Sequence, residues 1–300
     1  MHAVVFSRYG GPEVLHLSDL PAPSARPGRI RIRVRAAGVN PYDYKVRSGM
    51  MAAGATAPDA PVVPGLEAAG VVDELGEGVS GVCVGDEVFG LAVGAYAEEA
   101  VLRAWAPKPA GLDWAQAAAL GVAGETATRV LEALALPRGA TLLVHGAAGG
   151  VGQAVVQLGR LAGLRVVGTA SERNHDLLRR LGAEPVGYGD GLPARVTALA
   201  PDGVDGVADT AGSQLDDLIA VTGSPEGVVT IANYSAAERG VRFTGGGGDA
   251  SAALARVGEL AAGGLFAVRV AATFELADAA LAHRLSESRT AGGKIVLTVK

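Results

Sequence analysis

The sequence predicts an α/β protein in two parts, a β-rich N-terminal part and a doubly wound parallel sheet with helices on both faces. Three observations predict it. Up to about residue 111, short apolar or alternating runs are separated by glycine-rich turns. Beyond Pro107-Lys108-Pro109 the texture changes, and strand and helix patterns alternate as a parallel sheet requires. Several later strands, such as Gly227-Val228-Val229-Thr230-Ile231-Ala232, are apolar almost throughout, as expected when helices cover both faces.

Composition narrows the class. A chain of 300 residues exceeds the usual single-domain size, so two domains are expected, each large enough for its own core. Hydrophobic residues make up 49% and charged residues 19%, a globular rather than a disordered composition. The net charge is −5, from 26 basic and 31 acidic residues, and the scattered basic residues argue against a nucleic-acid partner. The single cysteine, Cys83, builds neither a disulfide framework nor a cysteine-based zinc site. It reads as a small core residue, and a reducing cytoplasmic location is expected. No long apolar run is present, and Met1-His2-Ala3-Val4-Val5-Phe6-Ser7-Arg8-Tyr9 lacks a basic segment leading into an apolar core. Neither a membrane span nor a secretory signal is expected.

The elements follow in order. Ile30-Arg31-Ile32-Arg33-Val34-Arg35 alternates apolar with charged, a strand with one buried and one wet face. Arg31, Arg33 and Arg35 are read as that solvated face, not as an anion patch. Strands at residues 69–75 and 87–91, punctuated by Gly76, Gly78, Gly81 and the Gly85-Asp86 turn, point to a small barrel or sandwich. Helices follow at 114–120 and 126–134. Then come strands at 141–147, 165–170, 185–188, 203–209, 227–233 and 241–244, separated by helices at 151–162, 174–181, 192–199 and 214–221. After the flexible Gly245-Gly246-Gly247-Gly248 loop, a helix at 250–262, a strand at 266–271, a helix at 276–287 and a strand at 294–299 complete the pattern.

The most informative stretch is the apolar run Leu142-Leu143-Val144-His145, which feeds Gly146, Ala147, Ala148, Gly149, Gly150, Val151 and Gly152 and then a helix. Strand, tight turn and helix N-terminus together aim backbone N–H groups and a positive dipole end at one point, as a dinucleotide pyrophosphate requires. The spacing Ala147-x-Gly149-x-x-Gly152 departs from the usual fingerprint at its first position, and a plain strand-to-helix turn is the alternative. The second strand of the unit ends at Ala170, where NAD-binding versions carry an acid for the ribose hydroxyl. Ala170 removes the repulsion felt by a 2′-phosphate, and Ser171 and Arg173 can donate to it, with Asn174 beside them. NADP(H) is therefore the expected cofactor. A one-residue shift would instead bring Glu172 to the ribose.

Taken together, these features resemble the zinc-independent quinone oxidoreductase (zeta-crystallin-like) group of medium-chain dehydrogenases/reductases. The resemblance rests on Gly38-Val39-Asn40-Pro41-Tyr42-Asp43-Tyr44-Lys45, Pro64-Gly65-Leu66-Glu67-Ala68-Ala69-Gly70, Val84-Gly85-Asp86-Glu87-Val88-Phe89-Gly90, the glycine loop and Gly293-Lys294-Ile295-Val296-Leu297. It implies a GroES-like catalytic domain at 1–112, completed by 249–300, and a Rossmann NADP-binding domain at 113–248. It also implies a cleft for nicotinamide and homodimers joined by Rossmann sheet edges. Zinc-dependent relatives use a cysteine in the segment matching 40–49 and a histidine in the one matching 65–67, where this chain has Asn40 and Leu66. The lobe of structural cysteines is missing too, and His2, His16, His145, His175 and His283 have no short ligand spacing.

Without metal, the implied reaction is hydride transfer from nicotinamide to an acceptor already polarised by conjugation. Asn40 is the candidate polar contact to acceptor carbonyl or cofactor, with Tyr42, Tyr44 and Lys45 as possible donors; an Asn-Pro turn and packing tyrosines are the plain alternatives. Asp43 and Arg47 are expected to pair with each other or to hold the cleft. On the cofactor side the resemblance implies Thr126 near the nicotinamide, otherwise a helix cap, and Tyr188 near the 2′-phosphate. It adds Ile231 and Asn233 at a strand end and Lys294, otherwise a surface strand residue. The expected function is NADPH-dependent reduction of a small-molecule quinone or similar conjugated carbonyl. Enoyl or alkenal double-bond reduction on the same scaffold is the alternative within enzymes, and a non-catalytic NADPH-binding regulatory or structural protein the alternative outside them.

Overall fold

The computed structural model describes residues 1–52 and 54–300. In chain order it places β1 (His2–Val5), β2 (His16–Asp19), β3 (Ile30–Val39), α1 (Pro41–Arg47), β4 (Glu67–Leu75), β5 (Glu87–Val93), β6 (Glu99–Pro107) and α2 (Trp114–Leu134). There follow β7 (Thr141–His145), α3 (Gly150–Leu161), β8 (Arg165–Thr169), α4 (His175–Arg180), β9 (Glu184–Val186), α5 (Leu192–Leu199), β10 (Gly206–Asp209), α6 (Leu215–Thr222), β11 (Val228–Thr230) and β12 (Arg242–Phe243). The remaining elements are α7 (Ala250–Ala262), β13 (Val270–Glu275), α8 (Ala279–Glu287) and β14 (Lys294–Thr298). Two compact units emerge, Met1–Val122 with Ala250–Lys300, and Ala123–Asp249. The division falls inside α2, not before residue 113, because α2 runs unbroken where two helices were expected. Gly121 is a close-approach residue here and not a break: a Cβ there would lie 3.2 Å from both the Glu67 carboxylate and the Gly90 carbonyl.

The first unit is built around β3. Its alternation turns Ile30, Ile32 and Val34 inward, into a core shared with Val72, Val88 and Leu102. It pairs antiparallel with β4, β4 with β5, β5 with β6, and β6 returns to the first residues of β3, closing a small barrel. The other end of β3 pairs with β14, and β13 joins β14 in parallel. Gly70 lets β4 approach this strand, since a Cβ there would lie 2.1 Å from the Arg33 carbonyl oxygen. Arg33 and Arg35 face solvent, and Arg31 pairs with Asp73 and Glu74.

Two expectations are corrected here. Cys83 is exposed, not a core residue, because the tight turn in which its N–H donates to Asp86 Oδ2 (2.8 Å) faces it outward. Residues 266–271 do not form the expected strand; Phe266 and Val268 are buried outside regular structure, so their apolarity reports burial, and β13 begins at Val270.

The second unit is an all-parallel sheet in the order β12-β11-β10-β7-β8-β9. The order reverses between β7 and β10, which opens a crevice at the carboxyl ends of these two strands. Leu143, Val167, Val207 and Val228 from four adjacent strands lie in its core with Leu192, Val196 and Leu218. Among the described residues, no helix is long and apolar enough to cross a membrane.

Phe89 on β5 is fully buried, and a Cβ at Gly258 of α7 would lie 3.4 Å from its ring. Phe89→Ala is therefore expected to cost about 3–5 kcal/mol, lost contacts plus cavity, read as a drop in the urea midpoint.

Candidate active site

In the second unit the site grows from the turn after β7. Gly146 adopts φ +83°, open to glycine without strain, and Gly149 precedes the first turn of α3. A Cβ at Gly152 would sit 2.3 Å from the Gly146 carbonyl oxygen and 2.7 Å from the Ala147 Cα, so only hydrogen fits. The first N–H groups of α3 have no intrahelical partner, and with the positive end of the helix dipole they lie at the turn that follows β7. The turn is held from beneath. Gly146 N–H donates to Thr169 Oγ1 (3.0 Å), and Ala147 N–H to the Thr169 carbonyl (3.0 Å). The Thr169 hydroxyl also pairs with His145 Nδ1 (2.9 Å), and His145 Nε2 pairs with Ser213 Oγ (3.1 Å). Burial lowers the His145 pKa, against the opposing pull of Asp209 and Asp217, which keeps the ring neutral and suited to this arrangement. Gln153 Nε2 donates to the Ala148 carbonyl (2.8 Å). His145, Thr169 and Gln153 were not among the sequence candidates; Thr169, ending an apolar strand one residue before Ala170, was the available signal.

The remaining candidates of this unit lie at strand ends or beyond them. Ala170 is buried just after β8, and its N–H donates to the Val186 carbonyl (3.0 Å). Glu172 to Asn174 form a short 3-10 turn, with Glu172 and Arg173 exposed and Asn174 Nδ2 donating to Ser171 Oγ (3.1 Å). Tyr188 is exposed beyond the end of β9. Ile231 N–H reaches the Asp209 carbonyl (3.1 Å), and Asn233 N–H reaches Thr230 Oγ1 (3.2 Å). Thr126 is no helix cap: it lies inside α2, buried, its hydroxyl on Glu125 Oε2 (3.1 Å) beside the Glu125–Arg129 ion pair (2.8 Å). A cavity of about 530 Å³ takes in Asn233 alone of these candidates; its walls carry Asp216, Asp217 and Glu238 against one cation, Arg239, which is itself paired with Asp216, so the lining is net acidic and a poor match for phosphate.

In the first unit a buried polar cluster joins residues far apart in sequence. Pro41 opens α1 immediately after Asn40, whose N–H donates to Asp43 Oδ2 (2.8 Å). The Asn40 side chain turns to Glu67, Nδ2 donating to Oε1 (2.9 Å). Lys294 Nζ donates to Asn40 Oδ1 (2.6 Å) and forms an ion pair with Glu67, whose other oxygen accepts from Val122 N–H (2.6 Å). Lys294 is thus buried, not a surface strand residue. Tyr44 and Lys45 are also buried, whereas Tyr42 is 41% exposed. Arg47 pairs with Glu287 and not with Asp43, correcting the expected pair. Asp43 Oδ2 instead accepts from Tyr96 Oη (2.9 Å), and His283 Nε2 lies 3.3 Å from that hydroxyl, its ring edge-on to the tyrosine. Burial pushes the Asp43 carboxyl up to about 7, against the hydrogen bonds from Asn40 and Tyr96 and the Lys294 charge. Burial and the Arg47 charge push His283 down to about 3.

Comparison with known proteins places this geometry. Residues 26–112 match the alcohol dehydrogenase GroES-like domain, and residues 181–297 match the zinc-binding dehydrogenase domain. A solved quinone oxidoreductase from Coxiella burnetii is 31% identical with a TM-score of 0.83, covering 100% of this chain and 99% of that one. The chain belongs to the quinone oxidoreductase group of the medium-chain dehydrogenases/reductases. Another solved relative, a mycobacterial protein in complex with NADPH, is 30% identical with a TM-score of 0.85 over all of both chains. The quinone oxidoreductase of Rattus norvegicus is 42% identical over 193 residues, 62% of this chain and 58% of that protein. The 2-methylene-furan-3-one reductase of Solanum lycopersicum is 37% identical over 61% of this chain and 51% of its own length. The match to these two relatives thus spans little more than half of each.

Two outcomes test the site's electrostatics. The folded Asp43 holds its proton to about 7 against 3.8 for the free group, so its contribution makes stability fall as pH rises between these values. His283, at about 3 against 6.5, makes stability rise with pH over its own interval. Where the two intervals overlap the slopes oppose and largely cancel, so Asp43→Asn is expected to make the urea midpoint rise with pH there, and His283→Gln to make it fall. Thr169→Val deprives Gly146 N–H and His145 of their shared partner and is expected to cost about 1–3 kcal/mol in the same assay.

Proposed function

We propose that this chain is an NADPH-dependent reductase passing hydride to a quinone or similarly conjugated carbonyl without zinc. The observation that carries the reading is a glycine turn at the sheet's reversal point combined with an alanine, not a carboxylate, at the end of β8. When bound, the nicotinamide cofactor supplies the hydride. The backbone from Gly146 to Gly152 would hold the pyrophosphate; the crowding at Gly152 is what brings α3 close enough for its N–H groups to serve. Ser171 and Arg173 would take the 2′-phosphate, Arg173 through charge-assisted hydrogen bonds, with Asn174 and Tyr188 beside them. Thr126, Ile231 and Asn233 would face the nicotinamide half. The mycobacterial relative solved with NADPH supports the same choice.

The residues of the first unit do not fit a zinc ion. Asn40 and Leu66 stand where zinc-dependent relatives carry ligands; the adjacent Glu67 carboxylate already holds the Lys294 ammonium, which would repel a divalent cation, and Asp43 is taken up by Asn40 N–H and the Tyr96 hydroxyl. An acceptor conjugated to its carbonyl needs no such ion, because the charge displaced by hydride spreads to oxygen. Asn40, Tyr42, Tyr44 and Lys45 form the proposed acceptor side, with Tyr42 the most accessible of them. The lone cysteine fits a cytoplasmic home. The exposed edge strand β12 offers a surface for homodimer formation.

A second reading, reduction of an enone or enoyl double bond, is favoured by the similarity to the tomato reductase. Steady-state rates with benzoquinone, an enone and an enoyl thioester separate the two. In each case NADPH is expected to exceed NADH by about tenfold or more in kcat/KM, the worth of one charge-assisted contact. Ala170→Asp is expected to erase that margin, and a preference for NADH in the unaltered chain would overturn the cofactor assignment.

A further inference from the structure

We propose that Lys294 is the acid that protonates the acceptor oxygen, and that Glu67 is the positioning residue that holds and aims its ammonium. This rests on the reading of the chain as a reductase of conjugated carbonyls. An ammonium has three N–H bonds, and two of those on Lys294 go to Asn40 Oδ1 and Glu67 Oε1. Among the described residues the third meets no partner. Burying a lysine head is costly unless a carboxylate accompanies it, and Glu67 supplies one with no exposure to water at all. Glu67 is itself immobilised by donors on three sides: Val122 N–H at 2.6 Å on one oxygen, Asn40 Nδ2 at 2.9 Å and the ammonium on the other. Lys294 opens β14 and Glu67 opens β4, so both heads stand on strands of one sheet. The result is a fixed cation with one free donor, next to the asparagine placed on the acceptor side.

Such a donor suits the step that follows hydride addition. Hydride joins the conjugated acceptor, the displaced π pair moves to its carbonyl oxygen, and negative charge gathers there. The Lys294 N–H bond breaks, its electron pair stays on nitrogen, and the proton forms the new O–H bond of a hydroquinone or enol. The neutral amine left behind takes a proton from water, and the released hydroxide is neutralised by buffer. Asn40, in this scheme, acts through Lys294: its carbonyl oxygen fixes the direction of the ammonium.

The test uses the full chain with Lys294→Met, and the Lys294→Met/Glu67→Gln double variant, which buries no lone charge. Thermal melts establish that each folds. Expected are a fall in kcat of about 10²–10³-fold for quinone or enone in both variants and a dissociation constant for NADPH, read by its fluorescence, unchanged within about twofold. Para-nitrophenol mimics the developing oxyanion; the unaltered chain is expected to bind it as the yellow phenolate and the double variant is not. Retained kcat, loss of NADPH affinity in step with kcat, or equal phenolate binding by all three proteins would each overturn the assignment, the second by returning Lys294 to the cofactor. If the unaltered chain reduces none of the acceptors, the proposed function falls, and the phenolate measurement still decides for or against an oxyanion site at Lys294.

Discussion

A carboxylate wholly removed from water organises the first unit. Desolvating such a charge costs several kcal/mol, so Glu67 is tolerated only where every oxygen is met by a donor. Those donors come from the entry to α1, from β14 and from the backbone of α2, three places separated by most of the chain. The same group dictates what its neighbours can be. A Cβ at Gly38 would lie 2.1 Å from Glu67 Oε1, and one at Gly121 3.2 Å from Oε2, so both the centre of β3's far end and the path of α2 conform to this one side chain. The register of β14 against β3 and the burial of Lys294 then follow together, because the ammonium has to arrive at that oxygen.

The second unit meets a parallel requirement with neutral groups. Its turn must present N–H groups outward while the strand beneath it stays dry. A relay of one histidine and two hydroxyls satisfies the buried side: Ser213, His145, Thr169 and then Gly146 N–H. Asp209 does the same on the next strand, accepting from the N–H groups of Ala211 and Gly212 and from the Thr230 hydroxyl. Thus the functional ends of β7, β8, β10 and β11 are knitted by side chains belonging to the strands themselves.

Much of this was legible in the sequence because it is periodic or local. The alternation over residues 30–35, the nearly unbroken apolar run through β11 and the glycine turn each report an environment set by residues next to one another. What was illegible depends on distant partners. Arg47 finds Glu287 on α8, and nothing near Arg47 in sequence announces it. Asn40 and Lys294 were each marked as site candidates, for different contacts, yet that they touch each other depends on the closure of β3 with β14. The glycines of α2 read as a break between two helices since a glycine admitting a close neighbour and one ending a helix are the same letter. Cys83 was misjudged for a related reason: hydropathy speaks for a residue's preference, and a four-residue turn overrode it.

The strand β3 also sets an order of events during synthesis. Its residues Ala36 to Val39 pair with Ile295 to Thr298, across a stretch that contains the whole of the second unit. On the ribosome the backbone groups of that edge stay open until the last strand emerges, while residues 123–249 are already complete and can collapse on local contacts. The part of the chain that is translated first is therefore finished last, and for that interval its unfilled edge is the nascent protein's point of exposure to chaperones and to other growing chains.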